Sequence, residues 1–211
     1  MTAKKTAYEI TAKTIISNLA KRNIEGFYFS DKEQLMNQIF SYLPEQSSIS
    51  WGGSETLKEI GLLDQLKEKS YHLIDRANAV TDEQKRELIR DTSACDYFFM
   101  SSNAITLDGE LLNIDGTGNR ISYLMYGPSH VFLFIGMNKV VSDVDSGIAR
   151  IRNMACPPNA VRLNRKTPCA ATGRCGDCLS PDCMCNHMLV TRRCGTKDRI
   201  KVFLVGEELG Y

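Results

Sequence analysis

Five cysteines, Cys169, Cys175, Cys178, Cys183 and Cys185, fall within 17 residues near the end of this 211-residue chain. Thiolates are strong metal ligands, and short spacings let one loop close around a centre at low entropic cost. Gly173 and Gly176 permit sharp reversals between them, and Pro168 and Pro181 stiffen the flanks. A tetrahedral zinc site commonly pairs two Cys-x2-Cys knuckles, and only Cys175–Cys178 has that form. An iron–sulfur cluster accepts one such pair with a longer gap and a more distant fourth thiolate. The spacing therefore favours a [4Fe–4S] cluster, with zinc as the alternative. Five thiols for four positions leave one spare, since Cys183 and Cys185 do not both fit as ligands of one small centre. Cys95, Cys156 and Cys194 are scattered and read as small buried hydrophobes.

A second set of polar residues gathers where apolar segments end. Gly52-Gly53-Ser54-Glu55-Thr56 follows Trp51, and its two glycines let backbone approach a ligand. Asp75-Arg76, Ser101-Ser102-Asn103 and Gly136-Met137-Asn138-Lys139 end three further apolar segments. Asp115, Gly118, Asn119 and Arg120 sit in the loop Asn113–Arg120. In an open parallel sheet such strand ends share one edge, where ligands bind. The residues expected to bind a polyol or a small anionic metabolite are Gly52, Gly53, Ser54, Thr56, Ser102, Asn103, Asp115, Gly118, Asn119, Arg120, Asn138 and Lys139. Catalytic machinery is sparse. Ser101 and Ser102 have no visible base, and His72, His130 and His187 form no nucleophile arrangement, so a hydrolase triad is unsupported. Glu110, on a hairpin, is the one carboxylate proposed to reach the site as a catalytic group.

The elements that must carry these groups alternate. Helices are expected over 4–22, from a Ser30/Glu33 capping box to Pro44, from Ser54, over 81–94 from a Thr81/Gln84 box, over 119–126 and over 143–155. Strands are expected at 27–29, 48–51, 71–75, 97–100 and 131–135, then near Leu189 and over 200–205. Asp108-Gly109 between two apolar runs signals a hairpin. The pattern predicts an α/β fold: a mostly parallel sheet covered by helices, one hairpin added, and a loop-rich cysteine insert over 165–190. Residues 1–45 would pack on it as a helical segment, and no linker divides 1–211, so a single domain is expected.

The net charge of +1 argues against a nucleic-acid binder. No apolar run approaches the roughly 20 residues of a membrane span, and the start lacks an apolar leader. A cytoplasmic location is expected, where eight cysteines would not be structural disulfides.

Several of these segments resemble the LUD domain, the lactate-utilisation family. They are Trp51-Gly52-Gly53-Ser54-x-Thr56-Leu57-x-Glu59-Ile60-Gly61, Ser101-Ser102-Asn103-Ala104-Ile105-Thr106 with Asp108-Gly109-Glu110, and Asn113-Ile114-Asp115-Gly116-x-Gly118-Asn119-Arg120. Tyr126-Gly127-Pro128, Gly136-x-Asn138-Lys139 and the ending Gly206-Glu207-x-Leu209-Gly210-Tyr211 add to the likeness, which runs over nearly the whole chain. It implies a fold like the ribose-5-phosphate isomerase, glucosamine-phosphate deaminase and CoA-transferase group. It also implies a role in bacterial oxidation of L-lactate, a 2-hydroxy acid, beside iron–sulfur subunits. Thr167-Pro168-Cys169-x2-Thr172-Gly173-x-Cys175-x-Asp177-Cys178-x-Ser180-Pro181 with Cys185-Asn186 is similar to a stand-alone branch. There the position of Cys183 is usually basic, which implies Cys169, Cys175, Cys178 and Cys185 as the metal ligands.

Three functions follow as expectations. The first is a redox or accessory component of lactate utilisation, an oxidoreductase subunit with a redox partner protein. The second is a sugar-phosphate or acyl-CoA isomerase or transferase with structural zinc. The third is a metabolite-sensing module. Each is compatible with a homo-oligomer.

Overall fold

The computed structural model describes residues 2–211. The chain opens with α1 (Ala3–Lys21), capped where the Thr2 hydroxyl accepts from the Lys5 N–H, and buries Ala12, Ile15 and Leu19 along one stripe. There follow β1 (Glu25–Phe29), α2 (Lys32–Ile39), β2 (Ser48–Trp51), α3 (Glu55–Glu59), α4 (Leu62–Lys67) and β3 (His72–Ile74). The middle third holds α5 (Asp82–Ala94), β4 (Tyr97–Met100), β5 (Ala104–Thr106), β6 (Leu111–Asp115), α6 (Asn119–Met125) and β7 (His130–Gly136). The rest comprises β8 (Val140–Val141), α7 (Val144–Arg150), α8 (Cys156–Arg162), α9 (Pro168–Thr172), β9 (His187–Thr191) and β10 (Ile200–Val205).

Six strands form one sheet in the order β1-β10-β7-β4-β2-β3, and every pairing in it is parallel. The central strands β10, β7 and β4 are almost wholly apolar, Lys201 and His130 apart, because both faces are covered. On β7, Val131, Leu133 and Ile135 enter one core while Phe132 and Phe134 enter the other, as a period of two requires. Phe134 stacks on Phe203 of β10 at 5.2 Å, and Phe132 on Phe99 of β4 at 5.6 Å. Burial of such rings contributes most of the driving force for this layer.

Four sequence expectations change. The hairpin forms, but it does not join the main sheet. It builds a second sheet, β8-β5-β6-β9, whose Ile105 and Leu111 join the core that holds Val131, Leu133 and Ile135. Its turn spans four residues, closed by Thr106 N–H to Glu110 C=O at 3.0 Å, with Gly109 at φ +85°. The cap of α2 is Asp31, whose carboxylate accepts from Gln34 N–H at 2.9 Å; Ser30 donates to that carboxylate instead. The helix from Ser54 breaks into α3 and α4 at Gly61, which takes φ +72°. The helix expected over 143–155 is α7, then a π turn over Ile151–Ala155, and it continues as α8. Pro157 and Pro158 have no N–H for the carbonyls one turn earlier, which accounts for the widened turn. The Thr81/Gln84 capping box forms with both reciprocal bonds. Among the described residues no helix is long and apolar enough to cross a membrane.

Candidate functional site

At the carboxyl ends of the parallel strands lies a cavity of about 370 Å³. β2 delivers Gly53, Ser54 and Thr56 to it, β3 delivers Arg76, β4 delivers Ser101, Ser102 and Asn103, and β7 delivers Lys139. The chain end beyond β10 adds Gly210 and Tyr211, and the loop after β6 adds Asp115, Asn119 and Arg120. Five cations, Arg76, Arg120, Lys139, Arg162 and Arg165, face this space against the carboxylates of Glu55 and Asp115. Asp115 is paired with Arg120 at 3.0 Å, and Glu55 with Arg162 at 3.3 Å. The excess charge suits an anion.

Lys139 is only 3% exposed. Its Nζ donates to Thr56 Oγ1 at 2.9 Å and Ser101 Oγ at 3.0 Å, and among the described residues no carboxylate lies within ion-pair distance. Burial first, then the positive charge of Arg150, pulls its pKa down to about 7, against an opposing effect of Glu59 that outweighs the further small push from Arg120. Arg150 is buried beside it and donates to the carbonyls of Asn103 and Asn138, with no carboxylate partner among the described residues. That guanidinium ties the ends of β4 and β7 together.

The loop after β6 organises itself. Asp115 Oδ1 accepts from the N–H groups of Thr117 and Gly118, and Gly118 sits at φ +85°. Arg120 donates to Ile114 C=O at 2.6 Å while its Nε meets Asp115. Its aliphatic stem packs on Gly52, where an added Cβ would lie 2.9 Å from Cδ.

Three expected ligand residues support the cavity without lining it. Gly52 makes room for Arg120, and Gly118 serves the loop turn. Asn138 holds the chain end through Leu209 N–H and Gly210 C=O. Ser102 lines the cavity, but its hydroxyl is directed to the carbonyls of Ala104 and Leu112. Glu110 is not brought to the cavity. It pairs with Arg22 of α1 at 3.0 Å and accepts from Thr106, which anchors the hairpin turn to the first helix. Arg150, Arg162, Arg165 and Asn159 were not expected from the sequence. They come from α7, α8 and the residues just after it, and ordinary helix spacing carried no sign of which face they would present.

The five clustered cysteines line a second cavity, of about 230 Å³, and Cys156 joins them from the start of α8. Cys95 and Cys194 belong to the main core, as expected, whereas Cys156 has one side in an apolar cluster and the other in this cavity. Burial, reinforced by Cys169, Cys175 and Cys183, pushes the Cys156 thiol up to about 12. The Cys183 and Cys185 sulfurs are 2.9 Å apart. Two thiolates on one tetrahedral zinc stand about 3.8 Å apart, given a Zn–S bond of about 2.3 Å. Among the described residues no group of three or more His, Cys, Asp or Glu side chains is arranged to hold a metal ion as it stands. The thiols surround a space instead of a point. Six cysteine thiols face this cavity beside Ile114, Arg152, Thr167 and Asp177, a thiol-rich donor set of the kind that an iron–sulfur cluster or zinc takes.

The two cavities share a wall. Ile114, Cys156 and Met184 line both. The cysteine segment is held there by Asn186, which donates to Gly116 C=O at 2.9 Å, and by close approach of Gly116 to Met184, whose Cα would lie 3.3 Å from an added Cβ.

A parallel six-stranded sheet with a cationic cavity at its carboxyl edge places the chain in the class of open α/β proteins. Within that class the chain belongs to the LUD domain family, which matches residues 12–205. Its fold is similar to the crystal structure of a DUF162 family protein from Deinococcus radiodurans. The TM-score is 0.55 at 11% identity, over 94% of this chain and 98% of the other. No curated protein matches it.

Proposed function

We propose that the chain is a redox or accessory component of 2-hydroxy-acid utilisation that binds a small carboxylate beside a cysteine-held [4Fe–4S] cluster. The family's association with lactate utilisation supports the substrate class. The observation that carries the reading is the shared wall of Ile114, Cys156 and Met184, which sets the thiol cavity against the cationic one. Cys169, Cys175, Cys178 and Cys185 would hold the cluster, with Cys183 the spare. When bound, the cluster would supply one-electron transfer to or from a redox partner protein. The chain's own residues would bind and orient the ligand: Arg76 and Arg120 its charge, Lys139 and Asn103 its polar oxygens.

The test is a titration of anaerobically purified protein with pyruvate or lactate while following visible absorbance. Brown protein that bleaches on reduction, and whose spectrum shifts saturably with ligand, is expected. Colourless protein holding one zinc per chain would sink the redox reading.

The arginines favour a second reading as well, since planar guanidinium groups suit phosphate. A sugar-phosphate or acyl-CoA enzyme with structural zinc predicts tight binding of phosphorylated ligands and no colour.

A further inference from the structure

We infer that Lys139 is a nucleophilic amine that captures the carbonyl carbon of a small anionic carbonyl compound as an imine. The inference rests on the reading of the cationic cavity as an anion site, and it adds a reaction to that site. Three features of the geometry support it.

The first is the partner set of Nζ. Thr56 Oγ1 reaches Leu209 C=O at 3.4 Å and Ser101 Oγ reaches Ser102 C=O at 3.3 Å, so each hydroxyl has a carbonyl to take its own hydrogen. Both hydroxyls therefore face Nζ as acceptors, and they take two of its hydrogens. A tetrahedral nitrogen with its Cε and two committed hydrogens has one position left. In the neutral amine that position is the lone pair.

The second is the absence of a buried counter-charge. No carboxylate lies within ion-pair distance of Nζ among the described residues, and the buried Arg150 stands nearby with its donors turned to carbonyls. A buried amine in that setting has a large neutral fraction at neutral pH, consistent with its pKa of about 7.

The third is access. An added Cβ at Gly210 would lie 2.6 Å from Thr56 Oγ1 and 3.3 Å from Nζ, and the residue takes φ +59°. Lys139 itself lines the cavity beside this bare backbone, and the arginines there would hold the anionic group of the same molecule.

In the step itself the Nζ lone pair forms the C–N bond while the carbonyl π pair moves to oxygen. That oxygen then leaves as water with both amine hydrogens. The product is the imine, and no oxidant or reductant is consumed. The shared chemistry is a carbonyl next to an anionic group, found in 2-oxo acids and in phosphorylated aldehydes.

The full-length protein is incubated with pyruvate or with glycolaldehyde phosphate, sodium cyanoborohydride supplying the hydride that fixes any imine. Adducts are located by peptide mass spectrometry, and binding of inorganic phosphate is measured in parallel by calorimetry. One reduced adduct on Lys139 is expected. Its yield should rise as pH climbs through about 7, fall when inorganic phosphate is added, and drop at least tenfold in Gly210→Ala. Lys139→Arg, which keeps the charge, should lose it entirely. The preferred probe identifies the carboxylate or phosphate source. Phosphate binding without any Lys139 adduct, or labelling no greater at Lys139 than at exposed lysines, would overturn the inference and leave the anion site standing. Loss of both phosphate binding and adduct would overturn the anion-site reading with it.

Discussion

A buried lysine with only hydroxyl partners costs the fold stability while it is charged. The Lys139 pKa lies near 7 in the folded chain against 10.5 in the open one. Below about 7 both states carry the proton, and the folded state bears the full burial penalty. Between about 7 and 10.5 the unfolded chain binds more protons, so this group's contribution to stability improves as pH rises. Lys139→Met should therefore stabilise the protein most at acidic pH, with its advantage shrinking toward pH 10.5 in denaturant titrations. An anion in the cavity supplies the missing counter-charge, so phosphate binding should tighten as pH falls through about 7 with uptake of a proton, which calorimetry in buffers of different ionisation enthalpy will read. Arg120 carries the complementary prediction. Asp115 is 5% exposed, and Arg120→Ala leaves that carboxylate buried without its partner. The expected loss is about 3 kcal/mol of unfolding free energy, together with loss of phosphate binding. An unchanged denaturation midpoint would contradict this pairing.

The element scale shows which features can be read along the chain and which cannot. The strands ending at Trp51 and Met100 and the Val131 strand were legible from apolar runs, and the Gly, Ser and Asn residues after them were legible as strand-end loops. Their convergence followed once the strands were taken as parallel. The second sheet was not legible, because β6 pairs with β9 across more than 70 residues and no local pattern encodes that choice. Cys156 looked like an ordinary small hydrophobe. Only the continuation of α7 through the π turn into α8 swings it onto the thiol cavity. Glu110 lies away from the cavity for a similar reason: its partner, Arg22, is 88 residues away at the C-cap of α1. The chain end is a further element with a job, since Gly210 and Tyr211 line the cavity beside Lys139. Gly136 permits it, because an added Cβ would lie 2.7 Å from Leu209 N and 2.8 Å from Glu207 O. Backbone on both sides cannot move aside cheaply. Gly136→Ala should cost about 1–3 kcal/mol and weaken anion binding by displacing Leu209–Tyr211, read as a lower urea midpoint and a larger Kd.

At the scale of the whole molecule, the sheet separates two kinds of work. Its two apolar faces supply stability, and its carboxyl edge carries every cation of the cavity that comes from a strand end. The cysteine segment is laid against that edge by the loop after β6, and Ile114 of β6 lines both cavities. This arrangement explains why a chain of the LUD domain family with so little dedicated catalytic machinery still concentrates charge and thiols in one region. It also locates the test. Iron and acid-labile sulfide are to be measured per chain after strictly anaerobic purification, alongside zinc. The account predicts about four of each, as a [4Fe–4S] cluster requires, and their loss in Cys178→Ala with the fold retained. One zinc per chain, or metal content unchanged by Cys178→Ala, would contradict it.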